Sequence, residues 1–321
     1  MELVLTDSVG HIDVFDPAQG ESPSDEYLRT LESKLSFDNM TIYLNAVAKL
    51  LGRSHHRNCP WHQITAKHVK QIKQYFLDEN KAPATINLYL SAIKGVMKQA
   101  WELDLVDANT YLRIKSIRSA KGTRISRSRV ISNEEYIKVS QSLEQLNDYK
   151  SIRDRAIFDA LYYCGFRRSE IANIELSNIN MDTKEIYVIG KGNKERKAFI
   201  NDKLSASLSA WLATRGLEDG PLFLRTNRNR QPLYYSDELG QKYQPPITRS
   251  SIKGILETLA TSAGVELFKP HDVRHTFATR LLSADVDIFT VQKLMGHADI
   301  STTRRYDKRD EQSMRVAISL L

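Results

Sequence analysis

Lys269-Pro-His-Asp-Val-Arg-His-Thr-Phe-Ala-Thr-Arg-Leu-Leu282 places His271, Arg274 and His275 in the first turns of an expected helix. Val273, Phe277, Ala278, Leu281 and Leu282 recur at roughly helical period and fix one face against a core. His271 and Arg274, three apart, then share an exposed side. Cations at a helix N-terminus are disfavoured by the dipole, so a partner of negative charge is implied, and phosphate fits.

Arg167 follows the helix-ending Gly165, where its guanidinium can fork onto phosphate oxygens. Two arginines on one phosphodiester would stabilise the charge of a five-coordinate transition state. No acidic cluster reads as a magnesium site, which favours phosphoryl transfer without a metal and therefore a protein nucleophile. Tyr306 can supply it, provided nearby cations help a phenol of ordinary pKa near 10 to ionise. A phosphotyrosine intermediate keeps the energy of the backbone bond, so rejoining needs no nucleotide cofactor. His297, nine residues before Tyr306, could hydrogen-bond the same phosphate. Gly190-Lys191-Gly192 lacks the ending of a nucleotide-binding loop and reads as a hairpin tip that presents Lys191. Lys191 and His271 are the candidate proton donor and acceptor. His275 falls to a structural role beside them.

Four helices carry the N-terminal part, roughly residues 21–112: one capped by Ser24, one from about Asn39 with Ile42 and Leu44 inward, one capped by Thr65, and a long one from Pro83. Residues 1–20 have no convincing period and read as an arm. The loop His55–His62 is rich in histidine and has Cys59, but the spacing matches no zinc site, and no metal is assigned. Residues 113–129 hold seven bases and no acid, a basic linker spanning 113–130 that would lie along a phosphate backbone. The second domain, 131–310, opens at the cap Ser132 and contains helices and one hairpin, 185–189 with 196–200. Residues 226–247 read as a long polar loop, Ser301 as the cap of a turn holding Tyr306, and 311–321 as an apolar tail.

At 321 residues the chain is long enough for two cores. No apolar run spans a bilayer, and no basic apolar leader opens the chain, so a cytoplasmic protein is expected. Two distant cysteines suit a reducing compartment without disulfides. The net charge of +7 suggests a polyanionic partner.

Gly165-Phe-Arg167-Arg-Ser-Glu170, Gly190-Lys191-Gly-Asn-Lys, His271-Asp-Val-Arg274-His and Leu294-Met-Gly-His297, with Tyr306 nine residues on, together resemble the tyrosine recombinase (phage integrase) family. The resemblance implies a mainly α fold with a small β-sheet in the C-terminal domain: a four-helix core-binding domain and an α+β catalytic domain forming a C-shaped clamp. It implies that Arg167 and Arg274 clamp the scissile phosphate, Lys191 protonates the leaving 5′-oxygen and His271 is the acid/base partner. His297 would then donate to the phosphate, Tyr306 attack it, and Glu170 orient Arg167. Also implied are double-stranded DNA sites, a homotetramer on DNA, alone or with a second recombinase, a Holliday junction, and no cofactor or membrane. The tail would dock on a neighbouring subunit. A layout without a further arm-binding domain is closest to the Xer-type or simple transposon recombinases. For DNA contact the candidates are Thr41, Thr85, Asn87 and Lys94 on the helices, with Arg118, Lys121, Arg124, Arg127 and Arg129 in the linker.

Two rivals remain. A type IB topoisomerase uses similar chemistry but relaxes supercoils, and a DNA-binding accessory protein would keep the fold without cleaving.

Overall fold

The structure, a computed structural model, describes residues 22–122, 124, 128–190, 195–297, 299–304, 306 and 318–319. The expected arm (1–20), Lys191, Arg127 and nearly all of the 311–321 tail lie outside the described residues. Helix accounts for 59% of the described residues, and the strands are short. The chain divides into two units, 1–126 and 127–321.

Unit 1 contains α1 (Pro23–Arg29), α2 (Lys34–Leu50), α3 (Ala66–Asp78), α4 (Pro83–Glu102) and α5 (Ala108–Lys115). Thr65 caps α3 as expected, its hydroxyl accepting from the His68 amide, and Pro83 opens α4. Other expectations change. The cap of α1 is Ser22; Ser24 is buried and hydrogen-bonds through Oγ to Nδ1 of His56 at 2.8 Å. Helix α2 begins a turn earlier than Asn39, because Ser33 accepts from the Ser36 amide at 3.1 Å. Ile42 faces outward at 64% exposed, while Leu44 and Val47 enter the core.

Helix α5 was not expected. Asp107 caps it by accepting from the Thr110 amide, and Tyr111, Ile114, Ile117 and Ala120 carry a buried three-residue spacing into the basic stretch. That segment is thus anchored to unit 1 by apolar side chains. In the histidine-rich loop, Trp61 is buried with its Nε1 donating to the His56 carbonyl, and burial pushes the Cys59 thiol up to about 12.

Unit 2 runs α6 (Asn133–Glu144), α7 (Tyr149–Cys164), α8 (Arg168–Ala172), β1 (Ile179–Asn180), β2 (Glu185–Ile189), β3 (Glu195–Phe199) and α9 (Asp202–Arg215). It continues with β4 (Tyr235–Ser236), β5 (Lys242–Tyr243), α10 (Arg249–Ser262), α11 (Pro270–Ser283), α12 (Ile288–Met295) and α13 (Ile300–Arg304). Ser132 caps α6 in a reciprocal box with Glu135. Strands β1, β2 and β3 form an antiparallel sheet in that order, with Ile186 opposite Ala198 and both buried. The 226–247 segment is less irregular than its composition suggests, since β4 and β5 pair within it, Tyr235 opposite Tyr243. Ser301 lies inside α13, one residue after its start at Ile300.

Two buried helices set the frame of the site. Helix α7 is buried on nearly every side, Arg153, Asp154 and Asp159 included, and ends at Gly165. Helix α11 starts with Pro270 at its first turn and Asp272 accepting from the Lys269 amide at 2.8 Å.

Candidate active site

The last carbonyls of any α-helix have no partner inside the helix and carry the negative end of its dipole. In α12 these orphan groups are taken up by three guanidiniums. The Leu294 carbonyl accepts from Arg196 Nη1 at 2.6 Å, that of Met295 from Arg274 Nη2 at 2.5 Å, and that of Gly296 from Arg167 Nη2 at 2.8 Å. Arginines from α8's entry, β3 and α11 thus converge on one helix end.

Glycine is required at both turns that make this possible. Gly296 ends α12 at φ 59°, and a Cβ there would sit 2.5 Å from Arg196 Cδ. Gly165 ends α7 at φ 58°; a Cβ would meet the Phe277 ring at 2.3 Å, and its carbonyl accepts from Arg274 Nη1 at 2.5 Å.

Glu170 is the carboxylate among these cations. It is 2% exposed. Its Oε1 accepts from Arg167 Nη1 at 2.6 Å, and its Oε2 from the Arg167 amide at 2.8 Å and Arg196 Nη2 at 2.9 Å. Arg274 Nη1 is 3.9 Å away. Burial acts to raise the Glu170 carboxyl, but Arg196, the Arg167 amide and Arg274 together hold it below the usual range. Three guanidiniums facing one carboxylate leave a surplus of positive charge. Arg274 registers it: burial first, and then Arg167, push its guanidinium down to about 9. An arriving anion would relieve that repulsion.

The expectation that His271 and Arg274 share an exposed side is half right. His271 is exposed, but Arg274 is buried, because α11 packs against α7 and Arg274 reaches the Gly165 carbonyl at its end. Although His271 keeps an exposed edge, the protein packed around its ring desolvates it and lowers its pKa, and its Nδ1 is 3.0 Å from Ser128 Oγ.

His297 follows the α12 end. Its Nδ1 hydrogen-bonds Thr303 Oγ1 at 2.8 Å, and burial followed by Arg274, Arg167 and Arg196 lowers it to about 4. It is therefore neutral near pH 7. If Thr303 donates, Nε2 carries the hydrogen and can donate onward. Tyr306 is 8% exposed among Phe277, Ala278, Leu282, Val291 and Met295. Its ring lies 6.1 Å from the His297 ring and 5.1 Å from that of His275, centroid to centroid. His275 itself hydrogen-bonds the Arg129 carbonyl at 3.3 Å.

Arg167, Glu170, Arg274, His275, His297 and Tyr306 are thus gathered in one place, with His271 one turn before Arg274. Arg196 and Thr303 were missed. Arg196 read only as a strand residue, although its position five after Lys191 on the same hairpin was a usable hint. Thr303, fully buried three residues before Tyr306, left no signal in residue type.

The residues expected to contact DNA are placed differently from one another. Asn87 is spent on the chain itself: its side chain donates to the Ala120 carbonyl at 3.2 Å and accepts from the Ala120 amide at 2.7 Å. Lys94 Nζ donates to the Ile117 carbonyl at 2.7 Å. Arg124 donates to the Asn80 carbonyl, and Arg129 pairs with Glu135 in unit 2. Thr41 donates to the Phe37 carbonyl, Thr85 is half-buried, and Arg118 and Lys121 are exposed. A basic groove of about 610 Å³ in unit 1 is lined by Lys70, Lys73, Arg113 and Arg118. Among the described residues no group of three or more His, Cys, Asp or Glu side chains could hold a metal ion. None of the described helices is long and apolar enough to cross a membrane.

A cradle of arginines beside a buried tyrosine, on a helical unit with one small sheet, defines a class of phosphoryl-transfer protein, and comparison with known proteins specifies it. The phage integrase family model matches residues 129–313, and the phage integrase SAM-like domain matches 23–117. The chain belongs to the phage integrase family and is an enzyme of its tyrosine site-specific recombinase class. Tyrosine recombinase XerC of Haemophilus influenzae (strain PittEE) is 31% identical over 288 residues, 88% of this chain and 89% of the relative. XerC of Serratia marcescens is 28% identical over 309 residues, 92% of each. The fold is similar to that of the Tn1549 transposon integrase in complex with transposon right end DNA, at TM-score 0.65 and 16% identity over 93% of this chain and 98% of that one. It is also similar to a lambda integrase dimer bound to a COC′ core site, at TM-score 0.64 and 19% identity over 90% and 95%.

Proposed function

We propose that this chain recombines duplex DNA at specific sites through a 3′-phosphotyrosine intermediate, without metal or ATP. The Tyr306 oxygen attacks the scissile phosphorus, the bond to the 5′-oxygen breaks, and that oxygen takes up a proton. Lys191 is the proposed donor, and His271 handles the proton leaving Tyr306. Arg167 and Arg274 hold the non-bridging oxygens, and His297 donates to one of them through Nε2. Attack by the freed 5′-hydroxyl of another strand reverses the step, and repetition on the second strand pair passes through a Holliday junction.

One observation carries this reading: three guanidiniums locked onto the end of α12, next to the segment that leads from His297 by way of α13 to Tyr306. Rigid donors aimed at developing charge need no reorganisation during the reaction. They also supply the positive charge for which other phosphoryl-transfer sites use a metal.

The remaining assignments belong to the same proposal. Residues 21–112 bind the core of the site, with Lys70, Lys73, Arg113 and Arg118 as phosphate contacts in the groove of unit 1. Residues 131–310 are catalytic, and the 311–321 tail docks on a neighbour in a DNA-bound homotetramer in the cytoplasm, alone or with a second recombinase.

Duplexes selected by binding from a randomised pool should undergo strand exchange in EDTA without ATP. Relaxation of supercoils with no exchange would favour the topoisomerase reading, and binding without cleavage would favour the accessory protein.

A further inference from the structure

Residues 128–131 form the first stretch of unit 2 and are laced to α11 and the turn before it. Arg129 is the anchor. Its Nη1 donates to Glu135 Oε2 at 3.0 Å, its Nε to the Leu267 carbonyl at 3.3 Å and its Nη2 to the Glu266 carbonyl, with the guanidinium 5.7 Å from the Phe268 ring centre. The Ile131 amide donates to Thr276 Oγ1 at 2.8 Å. Beside these ties the strap reaches two histidines: Ser128 Oγ lies 3.0 Å from His271 Nδ1, and the Arg129 carbonyl 3.3 Å from His275 Nδ1.

We propose that Ser128 is a positioning residue for His271: by accepting from Nδ1–H its hydroxyl oxygen holds the ring's orientation and leaves Nε2 unprotonated to take up the proton. The proposal rests on the proton-transfer role given to His271 above. A histidine works as a proton carrier only when one nitrogen is presented in a defined state, and that state is set by the hydrogen bond the other nitrogen makes. His271 is the exposed member of the cluster, at the first turn of α11, so its own helix does little to hold its ring. The strap provides what the helix does not. Arg129 thereby acquires a structural task in place of the DNA contact expected from the linker's charge.

The test uses full-length Ser128→Ala, Ser128→Thr and His271→Gln proteins and nicked duplexes recovered from the binding selection. Single-turnover cleavage, duplex affinity and the ¹⁵N shifts of the His271 ring are measured. Ser128→Ala should slow cleavage about tenfold with unchanged affinity, since loss of one net hydrogen bond is of that order. The ring should pass from one tautomer to a mixture. Ser128→Thr should restore both readouts, and in His271→Gln the alanine change should add nothing. Wild-type cleavage and ring shifts in Ser128→Ala, or an equal further loss in the His271→Gln background, would overturn the assignment of Ser128. A wild-type protein that binds but never cleaves would instead overturn the recombinase chemistry and this role with it, whatever the ring shifts show.

Discussion

Arg196 Nη2 stands 2.9 Å from Glu170 Oε2, and the same guanidinium donates to the Leu294 carbonyl. Arg196 therefore ties the hairpin strand β3 to both the carboxylate that holds Arg167 and the helix end that holds all three arginines. Removing it, as in Arg196→Leu, takes one charged donor from Glu170, which Arg167 still pairs, and leaves the Leu294 carbonyl without that partner. Losing a buried hydrogen bond to a charged group costs about 1.5–3 kcal/mol. Urea denaturation should show a loss of that order, and cleavage should fall more than 100-fold, roughly the effect of losing a group that preorganises the site. Arg196→Lys should recover part of the stability but little cleavage, because an ammonium cannot span both partners. Full activity in Arg196→Leu would contradict the role given to it.

Gly296→Ala probes the same cradle from the backbone. The φ of 59° and the 2.5 Å approach to Arg196 Cδ leave no room for a methyl group. A loss of about 1–2 kcal/mol is expected from the backbone strain. Cleavage should drop further than stability accounts for, as Arg196 and Arg167 shift together. Thermal melts beside single-turnover rates at a temperature where the variant remains folded separate the two effects.

Thr303→Val keeps shape but removes the hydroxyl on His297 Nδ1. The ring then loses the bond that, with Thr303 donating, favours its Nε2–H tautomer. Cleavage should fall about tenfold, the scale of one hydrogen bond. The same change made in His297→Ala should have no effect on rate. Independent losses from the two substitutions would show that Thr303 does not act through the histidine.

What could be read from the chain was what short-range chemistry writes into it. Pro83, Thr65 and Asp287 mark helix starts, Gly165 and Gly296 mark helix ends, and these caps need only neighbours within four residues. Arg167, Arg274, His297 and Tyr306, which the structure gathers in one place, could be picked out by type and spacing, whereas Lys191 lies outside the described residues. Arg196 could not, since its importance comes from the α12 carbonyls about 100 residues away, which no local pattern encodes. Helix α5 was hidden by charge: seven bases among residues 113–129 masked the buried spacing of Ile114, Ile117 and Ala120. Asn87 and Lys94, polar residues on a helix, looked available for DNA but are clips that hold that same segment.

Two histidines predict how stability depends on pH. His297 is lowered to about 4 by burial and the three arginines, and His56 to about 4 by burial and His55. An unfolded histidine titrates near 6.5, so between these values the unfolded chain binds protons that the folded chain does not. Stability is then fully present above about pH 6.5 and is lost as pH falls towards about 4. The melting temperature should decline from about pH 7.5 to about pH 5, and His56→Gln should flatten the decline. A melting temperature that holds level or rises on acidification would contradict the neutral state assigned to both rings.

The central claim is that Tyr306 is the nucleophile. Wild-type protein incubated with the selected nicked duplexes, denatured and digested, should yield one peptide joined to DNA, with the linkage at Tyr306 through a 3′-phosphate. Tyr306→Phe should bind the same duplexes with similar affinity and yield no adduct. An adduct that persists in Tyr306→Phe, or one mapped to another of the fourteen tyrosines, would contradict the account at its core.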